Sequence, residues 1–150
     1  MTGQSVSKVA VFGLGSMGYG MAQSLLRAGH SVHGFDVVRA AMDRFVAEGG
    51  AAGDLADIAP DLDAVVVVVL NAEQTEAVLF GDNGIVPMLR SGAVVVSCAT
   101  VPPDFARDMA AVCESHQIRY LDAPISGGSV KAAAGQLSIM ASGSRASFDA

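Results

Sequence analysis

The chain has 150 residues, 51% of them hydrophobic and 16% charged, with 17 glycines and a formal net charge of −6. Such a length fits one globular domain that buries roughly 70% of the surface its unfolded chain exposes, without a disulfide or metal staple. An acidic chain of pI about 4.8 lacks the clustered Lys and Arg of a nucleic-acid footprint, and its longest apolar run, residues 64–70, is far short of the ~20 residues of a membrane helix.

In chain order, the polar start at residues 1–8 has no apolar signal-peptide core and points to the cytoplasm. Residues 9–12 read as an apolar strand. A helix is predicted over 17–28, with Met17, Met21, Leu25 and Ala28 recurring on one face and Gly29 as terminator. Residues 31–36 give a second strand and 39–48 a helix, with Met42, Phe45 and Val46 on one face and Gly49 and Gly50 at its end. The weaker stretch 51–60 suggests a short strand and a one-turn helix. Residues 64–70 read as a strand buried on both faces and residues 93–98 as a further apolar strand, each followed by a turn signal and a helix-period segment. Pro102 and Pro103 suit the first turn of a helix running to about Ser115, because the amide hydrogens they lack are unpaired there in any case. A strand over 118–121, a helix over 130–134, a strand over 137–141 and a helix from Arg145 capped by Ser144 follow. This alternation predicts an α/β domain with a Rossmann-type doubly wound, mostly parallel sheet. Cys98 and Cys113 sit in apolar stretches, with no second Cys or His at zinc-site spacing, so they are expected to be packed, reduced thiols with no metal.

Directly after the first strand, Gly13, Leu14, Gly15, Ser16, Met17 and Gly18 satisfy GxGxxG. Gly13 permits the strand-to-helix turn, Gly15 lets a pyrophosphate approach the backbone, and Gly18 allows close helix-to-strand packing. The helix that begins here directs its free amides and the positive end of its dipole at a diphosphate. Asp36, at the end of the second strand, stands about 20 residues on, where an acid accepts the adenosine ribose hydroxyls. Its carboxylate repels a 2′-phosphate and so favours NAD over NADP; Arg39 is the one residue able to blunt that preference. A second cluster, Asp122-Ala-Pro-Ile-Ser126-Gly127-Gly128, exposes two amides and a hydroxyl able to hold a carboxylate.

With GLGSMG at 13–18, the DAPISGG run at 122–128 and the downstream Ala133 and Gly135, the sequence resembles the β-hydroxyacid dehydrogenase family, which includes 3-hydroxyisobutyrate dehydrogenase and tartronate semialdehyde reductase. The resemblance runs from about Lys8 to Phe148. It implies that Ser126, Gly127 and Gly128 bind substrate, that Thr100 lies near the nicotinamide, and that Leu70 and Asn71 line the cofactor's path. Within the family, the runs at 70–81 and 121–144 look most like the L-threonate dehydrogenase branch, as does Asn71, where the wider family more often has proline. Cys98 and Ala99 stand where relatives commonly carry serines.

The resemblance further implies an NAD-dependent oxidation of a short polyhydroxy acid, with residues 1–150 as the dinucleotide-binding domain. The family's base is a lysine on a helix of a following helical domain, and that lysine lies beyond Ala150, so no catalytic residue is expected within the chain. A homo-oligomer is implied for the full-length protein. Lys131, just past the SGG run, is read as a solvated surface lysine, and His30, His33 and His116 as structural. Two alternatives stand beside threonate: another acid, such as 3-hydroxyisobutyrate or tartronate semialdehyde, and a non-catalytic module that senses or sequesters NAD(H), for which the SGG run has no evident purpose.

Overall fold

The computed structural model describes residues 5–150; residues 1–4 of the polar start lie outside the described part. Five strands, β1 (Lys8–Phe12), β2 (Ser31–Phe35), β3 (Ala64–Val67), β4 (Val94–Ser97) and β5 (Arg119–Asp122), form one sheet in the order β2-β1-β3-β4-β5. Every pairing in it is parallel. The chain steps outward from β1 to β2 and then back across to β3, so the order reverses between β1 and β3. A crevice at the carboxyl ends of the strands opens at such a reversal, and ligands of open α/β sheets bind there.

Strand alternation sends side chains to two cores, which is why the strands read as unbroken apolar runs. Val9, Val11, Val32 and Val66 pack with Leu14, Tyr19 and Ala22 of the first loop and helix, and with Phe45. That face is covered by α1 (Ser16–Arg27) and α2 (Arg39–Ala47). Ala10, Val65, Val67, Val95 and Tyr120 point the other way, against Leu79 of α4 (Ala72–Phe80) and Met109 and Cys113 of α5 (Pro103–Ser115). Phe45 is fully buried, with its ring edge-on to Tyr19 at 5.7 Å between centroids. Burial of such a side chain contributes about 1.5–3 kcal/mol.

The weak stretch at 51–60 resolves into a single parallel bridge, His33 to Ala51, and the one-turn helix α3 (Leu55–Ile58). After β5 the chain lays a small layer on α1: β6 (Ile125–Ser126), α6 (Gly128–Ala134) and β7 (Ser138–Ile139), the two strands pairing antiparallel. The strand expected over 137–141 is thus only two residues long, followed by an antiparallel bridge from Ser142 to Asp122. Helix α7 (Arg145–Asp149) begins as expected, with the Ser144 side chain accepting from the Ser147 amide. Cys98 and Cys113 are free, buried thiols, and burial pushes both up to about 12. No helix of the described residues is long and apolar enough to cross a membrane.

Candidate functional site

The three glycines of the first loop meet three different surroundings. Gly13 has φ +99°, and a Cβ there would stand 2.0 Å from the Val68 carbonyl oxygen. A Cβ on Gly18 would stand 1.7 Å from the Gly13 carbonyl oxygen, so α1 is pressed against its own entry strand. At Gly15, no described residue beyond its own chain neighbours comes within 4 Å of the Cβ position. Its open side faces a cleft of about 840 Å³ that Gly13, Ser16, Met17 and Gly18 also line. Gly15 is the N-cap of α1 and brings no side-chain hydrogen bond. The first-turn amides therefore have no acceptor within the helix and remain available to an anion.

Asp36 closes the β2 end of this cleft. One carboxylate oxygen accepts from the Leu14 amide at 2.7 Å and the other from the Val38 amide at 2.8 Å. The Gly13 amide donates to the Phe35 carbonyl at 2.8 Å, so loop and strand end are tied at two points. Each carboxylate oxygen retains a lone pair for a hydroxyl donor. Leu14, predicted as a cofactor residue, contributes its backbone here; its side chain is buried in the α1-side core. Arg39 points its guanidinium at Asp43, 3.3 Å away, on the exposed face of α2.

The opposite wall comes from the segments after β3 and β4. The predicted strand at 64–70 stops at Val67, because the Val68 carbonyl must pass over Gly13 and the chain then turns into α4. Leu70 is 84% exposed and lines the cleft beside Val69 and Gln74. Asn71 is not among the lining residues: its side chain accepts from the Gln74 amide at 2.9 Å and caps α4. Cys98, Ala99 and Thr100 line the cleft at the end of β4. The Cys98 thiol is held protonated by burial and, to a smaller extent, by the carboxylate of Asp122. Sequence reasoning did not single out Val37, Gln74, Ala77 or Val78, which also line it, as does Ile125 of the second cluster. For Gln74 a signal existed, since Asn followed three residues later by Gln is the spacing of a capping box.

Ile125 is where the second glycine run touches the cleft; Ser126, Gly127 and Gly128 are exposed just beyond it. Ser126 pairs with Ser138, Gly127 (φ +138°) is the N-cap of α6, and Gly128 (φ +79°) opens that helix. α6 is seated on α1 so closely that a Cβ on Gly20 would stand 2.6 Å from the Ala133 amide nitrogen. The Ser24 hydroxyl donates to the Ala132 carbonyl at 2.9 Å, and Arg27 donates to the Ala133 carbonyl. Gly135, at φ +71°, ends the helix in the left-handed conformation. The SGG run is thus placed by α1, the helix that also carries the first glycine loop. Lys131 is exposed, and its stem lies over Gly127, with Cδ 3.0 Å from that residue's Cβ position. His30 accepts from the Ser7 amide, and the His116 ring lies 2.9 Å from the Val112 carbonyl; neither lines the cleft.

The family described as the NAD binding domain of 6-phosphogluconate dehydrogenase matches residues 8–150. The chain belongs to that family. L-threonate dehydrogenase of Cupriavidus necator is 44% identical over 136 residues, 90% of this chain and 46% of the relative. An NAD-dependent L-serine dehydrogenase of Pseudomonas aeruginosa is 36% identical over 139 residues, 92% of this chain and 47% of the relative. Among solved structures, a 3-hydroxyisobutyrate dehydrogenase from Salmonella typhimurium matches with a TM-score of 0.89 at 42% identity, covering 95% of this chain and 50% of that one. The chain spans about half the length of the relatives it matches. Membership makes it a nicotinamide-dinucleotide-binding domain of the 6-phosphogluconate dehydrogenase-like family, with a Rossmann-type sheet.

Proposed function

We propose that this chain is the dinucleotide-binding half of an NAD-dependent dehydrogenase that oxidises the hydroxyl of a short polyhydroxy acid, L-threonate, to a 2-oxo acid. The observation that carries the reading is the open side of Gly15, which faces the cleft between the first-turn amides of α1 and the Asp36 carboxylate. A nicotinamide dinucleotide bound there supplies a two-electron hydride acceptor. The chain's own residues bind and orient. First-turn amides of α1 hold the diphosphate, Asp36 accepts from the ribose hydroxyls, and Thr100 stands at the nicotinamide end of the cleft. Leu70 flanks the same path, and Asn71 acts behind it by holding the start of α4. The Ser126 hydroxyl and the amides of Gly127 and Gly128 hold the substrate carboxylate. The proton leaving the substrate hydroxyl goes to a lysine outside residues 1–150, and the whole protein is a homo-oligomer.

NAD over NADP follows from Asp36. Its carboxylate is pinned by two backbone amides and cannot swing aside for a 2′-phosphate, while Arg39, three residues on, lies against Asp43. The identities to L-threonate dehydrogenase support threonate as the substrate. The 42% identity to a 3-hydroxyisobutyrate dehydrogenase and the L-serine dehydrogenase relative support a second reading, the same reaction on another acid. Steady-state assays of the whole protein with L-threonate, L-serine and 3-hydroxyisobutyrate, each with NAD and NADP, separate them. The highest kcat/KM is expected for L-threonate with NAD. Indifference to L-threonate removes the first reading, a preference for NADP removes the role of Asp36, and no turnover of any acid favours a module that only binds NAD(H).

A further inference from the structure

The side-chain amide of Gln74 is oriented by the backbone. Its Oε1 accepts from the Leu70 amide at 2.8 Å, and a backbone N–H requires an acceptor, so the flipped arrangement with NH2 facing Leu70 is excluded. The backbone N–H of Gln74 donates to the Asn71 side-chain oxygen at 2.9 Å. The NH2 group is left with no hydrogen-bond partner among the described residues, on a side chain that lines the dinucleotide cleft. Around it the wall is apolar. Val37 directly follows Asp36 and is fully exposed, Leu70 is nearly so, and Ala77 and Val78 lie on the next turn of α4. With the adenosine ribose at Asp36, the next part of the ligand along the wall is a flat, apolar-faced base with acceptor nitrogens at its edge.

We propose that Gln74 reads the adenine edge of the dinucleotide, its side-chain NH2 donating to a ring nitrogen of a base laid against Val37 and Leu70. This rests on the dinucleotide reading of the cleft. It also links the roles of Asn71 and Gln74, since the cap fixes the first turn of α4 and that turn aims the donor.

The test is equilibrium binding of ADP-ribose and NADH to the whole protein at about 0.3 M salt, where charges are screened beyond roughly 6 Å. Gln74→Glu keeps an acceptor for the Leu70 amide and loses the donor; Gln74→Met loses both and carries no charge. The expected result is a Kd for ADP-ribose raised about three- to ten-fold in both variants, the worth of one neutral hydrogen bond, with the melting temperature of Gln74→Glu unchanged. Loss of affinity in Gln74→Met alone makes the residue a clamp on Leu70, and loss in Gln74→Glu alone makes the effect charge repulsion; either overturns the proposal, as do two unchanged variants. A parent protein that binds neither ADP-ribose nor NADH removes the dinucleotide reading itself.

Discussion

The two glycine turns of this chain lie at one cleft, the first lining it and the second just beyond Ile125 at its edge, and they are built differently. At 13–18 the missing side chains are replaced by backbone: the Val68 carbonyl over Gly13 and the Gly13 carbonyl over Gly18. At 127–128 the neighbours are side-chain atoms of Lys131 and Leu137 at 3.0–3.2 Å from the Gly127 Cβ position, and open space at Gly128. The first turn lies on the buried ends of β1 and β3 and is fixed before any ligand arrives. The second lies on an exposed hairpin, with Val130, Ile139 and Met140 outside the two sheet cores. A site for an invariant ligand, a diphosphate, gains from preorganisation, whereas the turn assigned to the acid keeps neighbours that can shift.

The sharpest way to break this contrast is to add a methyl group at each turn. Gly13→Ala places an L side chain at φ +99° and 2.0 Å from a backbone oxygen. Because strand ends must move to relieve it, the expected cost is about 4 kcal/mol or more, a fall in Tm of roughly 10 °C or more for a domain of this size. Thermal unfolding followed by circular dichroism measures it, and a shift under about 3 °C would show that the first turn is as pliable as the second.

Gly15→Ala tests the same loop from its open side. Among the described residues beyond its own chain neighbours, nothing lies within 4 Å of the new methyl group, so stability should stay within about 0.5 kcal/mol of the parent. The methyl group enters the space assigned to the diphosphate, and NADH affinity should fall at least ten-fold, about 1.4 kcal/mol or more. Fluorescence titration with NADH reads this directly. Undiminished binding would place the diphosphate elsewhere. At the second turn, Gly127→Ala meets a strained φ of +138° but only flexible side-chain neighbours. Its expected cost is about 1–2 kcal/mol, with KM for the acid raised and KM for NAD unchanged; equal changes in both constants would tie the hairpin to the cofactor instead.

Much of this was legible in the sequence, and the reasons are local. Val9 to Val11, Val65 to Val67 and Val95 to Val96 alternate between two cores, so each strand reads as a continuous apolar run. The turn at Gly13, the open side of Gly15 and the close packing at Gly18 follow from the loop's spacing, because a strand-turn-helix of that length admits few backbone paths. What was not legible depends on partners far along the chain. The end of β3 at Val67 is set by Gly13, more than fifty residues earlier, and Ser126 becomes strand only because Ser138 returns beside it. Whether Asn71 meets the cofactor or caps a helix depends on one rotamer, as does the fate of the Gln74 amide. Periodicity carries no information about either.

The smallest expected effect lies at the edge of the fixed half. His33, on β2 opposite Ala10, is buried, and its Nδ1 has no hydrogen-bond partner among the described residues. Burial is the main force lowering its pKa below the usual imidazole value, with the charge of Lys8 acting the same way and the nearby Ala51 backbone partly opposing it. The folded state then binds fewer protons than the unfolded one through the range just below pH 6.5, so stability rises with pH there. The contribution is fully present above about pH 6.5 and is lost as the pH falls through the lower folded value. Asp63 and Glu48, whose carboxyls are held below their ordinary values, act in a more acidic window, and Asp122, raised by burial, acts with the opposite sign. Melting temperatures taken between about pH 7.5 and 5.5 should therefore fall for the parent and fall less for His33→Gln, which cannot take up the proton. Parallel curves for the two proteins would show that β2 is free enough at this position to solvate a charged ring, and that the rigidity of the first turn does not extend along its neighbouring strand.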